Sequence, residues 1–242
     1  MSVTWADVVD GTWPAARYER LGPFQLRQGL GGGSRVSAAN ALSPATGTDI
    51  DAAEAAMLAM GQKRIFCLHP GDEAMDSQLA DRGYDILDPV NIYSCSVGDL
   101  TDIPLPPVTA FPIWPPLAIM AEIWAQGGIG PGRLAVMGRA AGPKTGLLLR
   151  RTDHPAGTAF VAVHAGTAMV HALEILPEHR RQGLGQWAMR AAALWARDQG
   201  AHTLSVICTK ANAGANGLYR ALGMANAGEY HYRQLAQGEK PT

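Results

Sequence analysis

The chain has 242 residues, 47% of them hydrophobic and 17% charged, and a formal net charge of −1. This is apolar material enough for one large domain or two small ones with real cores, and 20 basic against 21 acidic residues lack the electrostatic footprint of a nucleic-acid binder. Cys67, Cys95 and Cys208 lie far apart among apolar neighbours, so neither a disulfide framework nor a C-x-x-C metal pattern can be built. No basic stretch followed by an apolar run opens the sequence, and the expectation is a cytoplasmic protein without metal or membrane partner. The long apolar stretch 157–176 is interrupted by His164, His171 and Glu174 and reads as two buried strands, not as a span.

In chain order, 24–27 and 35–38 flank Gly31, Gly32 and Gly33, which predicts a hairpin. A helix is expected over 51–60, a strand over 64–68, a helix over 73–81 stopped by Gly83, and strand over 84–97. Six prolines fall between 103 and 116, which predicts a linker without regular hydrogen bonding. Short helices over 117–125 and 132–139 then precede strands at 145–151, 159–164 and 169–176. Leu184, Trp187, Ala188, Ala191, Leu194 and Trp195 recur at helical spacing over 183–199, with Gly200 as the stop. A strand at 204–208, a helix at 213–222 closed by Gly223 and a strand at 229–235 complete a mixed α/β chain. Shifted by 140 residues, the strand, helix and glycine at 65–84 fall on those at 205–224, which suits an ancient duplication.

The chemistry concentrates where strand 169–176 runs into Arg180, Arg181, Gln182, Gly183, Leu184 and Gly185 at the start of the amphipathic helix. Backbone amides from Gln182 to Gln186 would point outward at the positive end of the helix dipole, a natural anion site. Gly183 and Gly185 would permit close approach, and Arg180 or Arg181 would add charge-assisted bonds. No Lys-Ser or Lys-Thr follows the second glycine and position 188 is Ala, so neither a Walker A loop nor a dinucleotide fingerprint is present. His171 and Glu174, three apart on one strand, would face opposite sides under strict alternation.

Arg180-Arg181-Gln182-Gly183-Leu184-Gly185 resembles the R/Q-x-x-G-x-G/A loop of the GNAT superfamily of acyl-CoA N-acyltransferases. Residues 212–224 are similar to the same family's N-x-x-A-x-x-L-Y-x-x-x-G-F, with Met224 in place of Phe. The resemblance implies a central mixed twisted sheet flanked by helices, with 117–242 as the acetyltransferase domain, 103–116 as linker, and 1–102 as a degenerate second half. It implies acetyl-CoA held by Leu173, Ile175, the loop, Gln186, Asn212 and Ala215, and an acetyl group transferred directly to a primary amine of a small molecule or peptide. Tyr219 would be the general acid toward the CoA thiolate, and Glu174, His171 or a water the base. A non-catalytic acyl-CoA-binding regulatory module is the alternative. The sequence leaves the acceptor and the oligomeric state open.

Overall fold

The computed structural model describes residues 3–235. Thr4 opens α1 (Trp5–Thr12), its hydroxyl accepting from the Asp7 amide while the Asp7 carboxylate accepts from the Thr4 amide. β1 (Arg17–Leu21) and β2 (Phe24–Gln28) pair antiparallel around Gly22, whose φ is +55°. The antiparallel pairing expected across the three glycines also forms, but β2 meets residues 39–41 there and not 35–38, because the chain first closes into a short turn. Ser34–Val36 is a 3-10 turn, and β3 (Ala39–Ala41) pairs with β2 beyond it.

α2 (Gly47–Ala59), β4 (Ile65–Leu68), α3 (Glu73–Asp81) and β5 (Tyr84–Ser96) follow. α2 begins before residue 51 because Thr46 and Asp49 form the same reciprocal cap as Thr4 and Asp7. The proline-rich segment corrects an expectation. It holds β6 (Ala110–Ile113), antiparallel to β7 (Lys144–Arg151). β6 ends the strand order, so it bonds along one flank only, and an edge strand tolerates a residue such as Pro112 that has no N–H. α4 (Ala118–Gln126) and α5 (Pro131–Arg139) precede β7. β8 (His154–His164), β9 (Thr167–Ile175), α6 (Leu184–Asp198), β10 (Thr203–Thr209), α7 (Ala213–Ala221) and β11 (Ala225–Leu235) complete the chain.

Contacts divide the chain into two interleaved units. One takes the N-terminal stretch through Pro14 with Ile92–Cys208 and Asn212–Ala227; the other takes Ala15–Asn91, Thr209–Ala211 and the chain from Gly228. The segment 103–116 thus lies inside the first unit. There the strand order is β5-β10-β9-β8-β7-β6, with β9 and β10 parallel and the strands from β6 to β9 antiparallel. The alanine-rich face of α6 (Ala188, Ala192, Ala193, Ala196) packs on Leu147, Leu149, Val161 and Val170, small side chains allowing close approach of helix to sheet. The opposite face carries Phe160 and His171, with Trp13 edge-on to the first and tilted over the second.

In the second unit the order is β1-β2-β3-β4-β11, with β3 parallel to β4 and β11 antiparallel to it. Phe24, Leu26, Ile50, Met57, Phe66 and Leu79 form its core. The two units share a plan: strand, crossover helix, parallel strand, second helix. α3 spans Glu73–Asp81 and α7 spans Ala213–Ala221, an offset of 140 residues at both ends. After α3 the chain runs into β5, which lies beside β10, and after α7 into β11, which pairs with β4. The architecture is a mixed α/β one, sheet strands flanked by helices.

Candidate active site

β9 is the framework of the site, and one irregularity sets its chemistry. His171 pairs with Phe160 while Glu174 pairs with Thr158, so three steps along β9 match two along β8. The extra residue is a bulge at Ala172, which sits at φ +50° and offers its carbonyl to the indole N–H of Trp124 at 2.8 Å. The bulge reverses the alternation. Ala168 and Val170 face α6, and beyond the bulge Leu173 and Ile175 pack on that same cluster. His171 and Glu174 therefore share one face, correcting the expectation of opposite faces that strict period two gave.

The shared face does not give them a shared role. His171 is 3% exposed, lies under Trp13, and meets the Thr12 hydroxyl through Nε2 at 2.9 Å. Since Thr12 donates to the Val8 carbonyl, its oxygen accepts from the imidazole. This is a satisfied core histidine, held by α1. Glu174 stands at the open end of β9, beside Gly127, where a Cβ would approach its carboxylate within 2.5 Å.

The parallel ladder of β9 with β10 runs from Thr167 and Thr203 to Val170 and Val206. Beyond it β9 continues to Ile175 and β10 to Thr209, so the pairing stops where the bulge begins. The last part of β9 thereby keeps backbone groups that β10 does not use.

At the start of α6, Gly183 is the N-cap at φ +83°, no side chain caps the helix, and its first turn carries no acidic residue. The left-handed conformation favours glycine there. Gln186 donates its amide to the Gly183 carbonyl at 3.0 Å, so Gln186 drops out of the expected set of outward donors. Gly183, Leu184 and Gly185 keep amides the helix itself cannot partner. Gly185 is glycine for a second reason, because a Cβ would come 2.9 Å from Leu218 on α7. Arg180 turns away from the helix end. Its Nε donates to the Ile175 carbonyl at 2.8 Å and its Nη2 to Glu174 at 2.9 Å. Arg181 adopts φ +60° and is exposed. Arg151, which the sequence did not single out, donates to the Gln182 carbonyl at 2.9 Å and braces the loop from β7.

On α7, Asn212 is the N-cap and accepts from the Ala215 amide at 3.0 Å. Asn216 continues inward, donating to the Asn212 carbonyl at 2.7 Å and accepting from the Tyr93 hydroxyl at 3.0 Å. Tyr219 is buried against Tyr93, ring centres 5.5 Å apart. Burial first, and then the Cys208 thiol, push its phenol well above the usual range, so it stays protonated at neutral pH. Burial also raises Cys208 to about 11, which keeps that thiol from acting as a nucleophile. Tyr219 belongs to the cluster on the α6 face, Glu174 to the other face. The two groups thus lie on opposite sides of the sheet. Among the described residues no group of three His, Cys, Asp or Glu side chains is placed to hold a metal ion, and no helix is long and apolar enough to cross a membrane.

Comparison with known proteins gives this geometry a class. Residues 122–224 match the model of the acetyltransferase (GNAT) family. A GCN5-related N-acetyltransferase from Kribbella flavida has a TM-score of 0.71 at 23% identity, covering 96% of this chain and 95% of that one. A tandem GNAT protein from the clavulanic acid biosynthesis pathway has 0.60 at 14%, covering 90% and 78%. The fold is the GNAT fold, and residues 122–224 are a GNAT domain. Over 119 residues the chain is 32% identical to streptothricin acetyltransferase of Streptomyces lavendulae, a match that takes in 48% of this chain and 61% of that relative, less than two thirds of its length.

Proposed function

We propose that the protein transfers an acetyl group from acetyl-CoA to a primary amine of a small molecule or peptide, in the cytoplasm and without a metal. The observation that supports this best is the end of β9. A strand released from its parallel neighbour lies beside an uncapped helix N-terminus, with a carboxylate on one face and, on the other, the apolar cluster to which the protonated phenol of Tyr219 belongs. The Gly183, Leu184 and Gly185 amides hold the pyrophosphate, and Leu173 and Ile175 lie along the pantetheine arm. A backbone N–H near Leu173 polarises the thioester carbonyl.

The acceptor reaches the enzyme as an ammonium, whose nitrogen has no lone pair until a base removes a proton. Glu174 takes it. The amine then attacks the thioester carbon, the C–S bond breaks, and Tyr219 protonates the departing thiolate. The amide nitrogen gives up its second proton, which restores the phenol, and Glu174 returns its proton to solvent. His171, sealed beneath α1, takes no part. The streptothricin acetyltransferase likeness favours transfer over mere binding. Its name points to an antibiotic as one acceptor to try. The test is release of free CoA from acetyl-CoA across a panel of amines, including streptothricin, other antibiotics and peptide N-termini. A chain that binds CoA by calorimetry and acetylates nothing in the panel is the regulatory module instead.

A further inference from the structure

Thr158 is a buried polar group with no evident reason to be polar. It is 0% exposed, and its hydroxyl is among the few buried side-chain atoms without a hydrogen-bond partner. A buried hydroxyl left unpaired is destabilising, whereas valine would fill a β-branched strand position without that penalty. Packing therefore does not explain it. Its place does. In the β8–β9 ladder Thr158 pairs with Glu174, and paired residues of an antiparallel ladder put their side chains on the same face. The bulge at Ala172 creates this relation, since without the extra residue position 174 would point toward α6. Cβ atoms of such pairs stand about 4.5–5.5 Å apart, a span that one hydrogen bond or one bridging water closes. Glu174 is held through Oε1 by Arg180 from the loop side, and its other oxygen lies against the Gly127 backbone.

We propose that Thr158 is a positioning residue for Glu174: its hydroxyl donates to the carboxylate through one bridging water and holds it aimed at the acceptor's N–H. The role rests on the acetyl-transfer reading above, and acts through Glu174 rather than on the substrate. A hydroxyl kept at a cost to stability in exchange for an aligned base has a signature that an ordinary core threonine lacks.

The experiment uses the full chain, acetyl-CoA and any amine that the wild-type protein acetylates. Thr158→Val is expected to melt no lower than wild type, to keep the KM for acetyl-CoA, and to lose about tenfold or more in kcat. Thr158→Ser should recover most of the rate. On a Glu174→Gln background Thr158→Val should remove nothing further, because residues that act as one unit are not additive. If Thr158→Val does not fold, Thr158→Ala replaces it in the same comparisons. A wild-type kcat in the valine variant, or a further loss on the Glu174→Gln background, overturns the role alone. A wild-type chain that acetylates no amine overturns the transfer reading and this role with it.

Discussion

α6 and α2 occupy corresponding places in their units, each the crossover helix after a strand and before its parallel neighbour, yet their N-termini are built in opposite ways. α2 is closed by Thr46 and Asp49, and Asp49 is held below the usual carboxylate range by the Thr46 hydroxyl and amide. The helix dipole there is already answered by an acidic side chain of the protein itself, and a phosphate would meet a like charge. α6 has glycine at the cap, no acid in its first turn and two arginines just before it. A duplicated plan can keep its strands and helices while only one copy leaves its helix end available to an anion.

Changes at the helix ends test that contrast most severely. Gly183→Val puts a β-branched side chain at φ +83° and in the path proposed for the pyrophosphate, and should weaken CoA binding by about 10²-fold or more, through loss of charge-assisted bonds. Calorimetry reads this directly, and wild-type affinity in a folded variant would assign the anion to another place. The same titration should give one CoA per chain. A stoichiometry near two would return a site to the α2 end.

Tyr219→Phe addresses the chemistry beside the open end. Turnover should fall by about 10²-fold with acetyl-CoA affinity unchanged, since the thiolate needs its proton only as the C–S bond breaks. A loss of affinity with little change in kcat would make Tyr219 a packing residue of the Tyr93 cluster.

Smaller effects are expected in the closed unit. Thr46→Ala removes the α2 cap and should cost about 1 kcal/mol of stability, with CoA affinity unaltered. In the same unit Asp76 accepts from Arg233 at 2.7 Å and from His231, and the Arg233 bond leads in holding its carboxyl below the ordinary range. A depressed carboxylate adds stability above its unfolded value of about 3.9, and loses it as pH falls through the lower folded value. Thermal melts of Asp76→Asn should therefore lie a few degrees below wild type at pH 7 and converge with it below about pH 3. A difference that persists in strong acid would trace to packing at Asp76 rather than to its charge.

Local pattern carried much of this in the sequence. The helical spacing of Leu184 to Trp195, the glycines at 183, 185, 200 and 223, and the offset of 140 between α3 and α7 depend on residues a few positions apart, where propensity and periodicity act. What the sequence could not show depends on partners far along the chain. β6 forms despite its prolines because β7 offers an edge. α1 belongs with β8 and β9, where it buries His171. β5 lies beside β10 and β11 pairs with β4, placements that no composition break marks. Above all, the bulge at Ala172 follows from how β9 must register against β8, and that single extra residue puts Glu174 opposite Thr158 and on the face away from Tyr219. The sequence by itself placed a glycine loop between a strand and an amphipathic helix. Long-range strand pairing decided which residues meet, because side-chain direction in a strand is set by register, and register is a property of two strands at once.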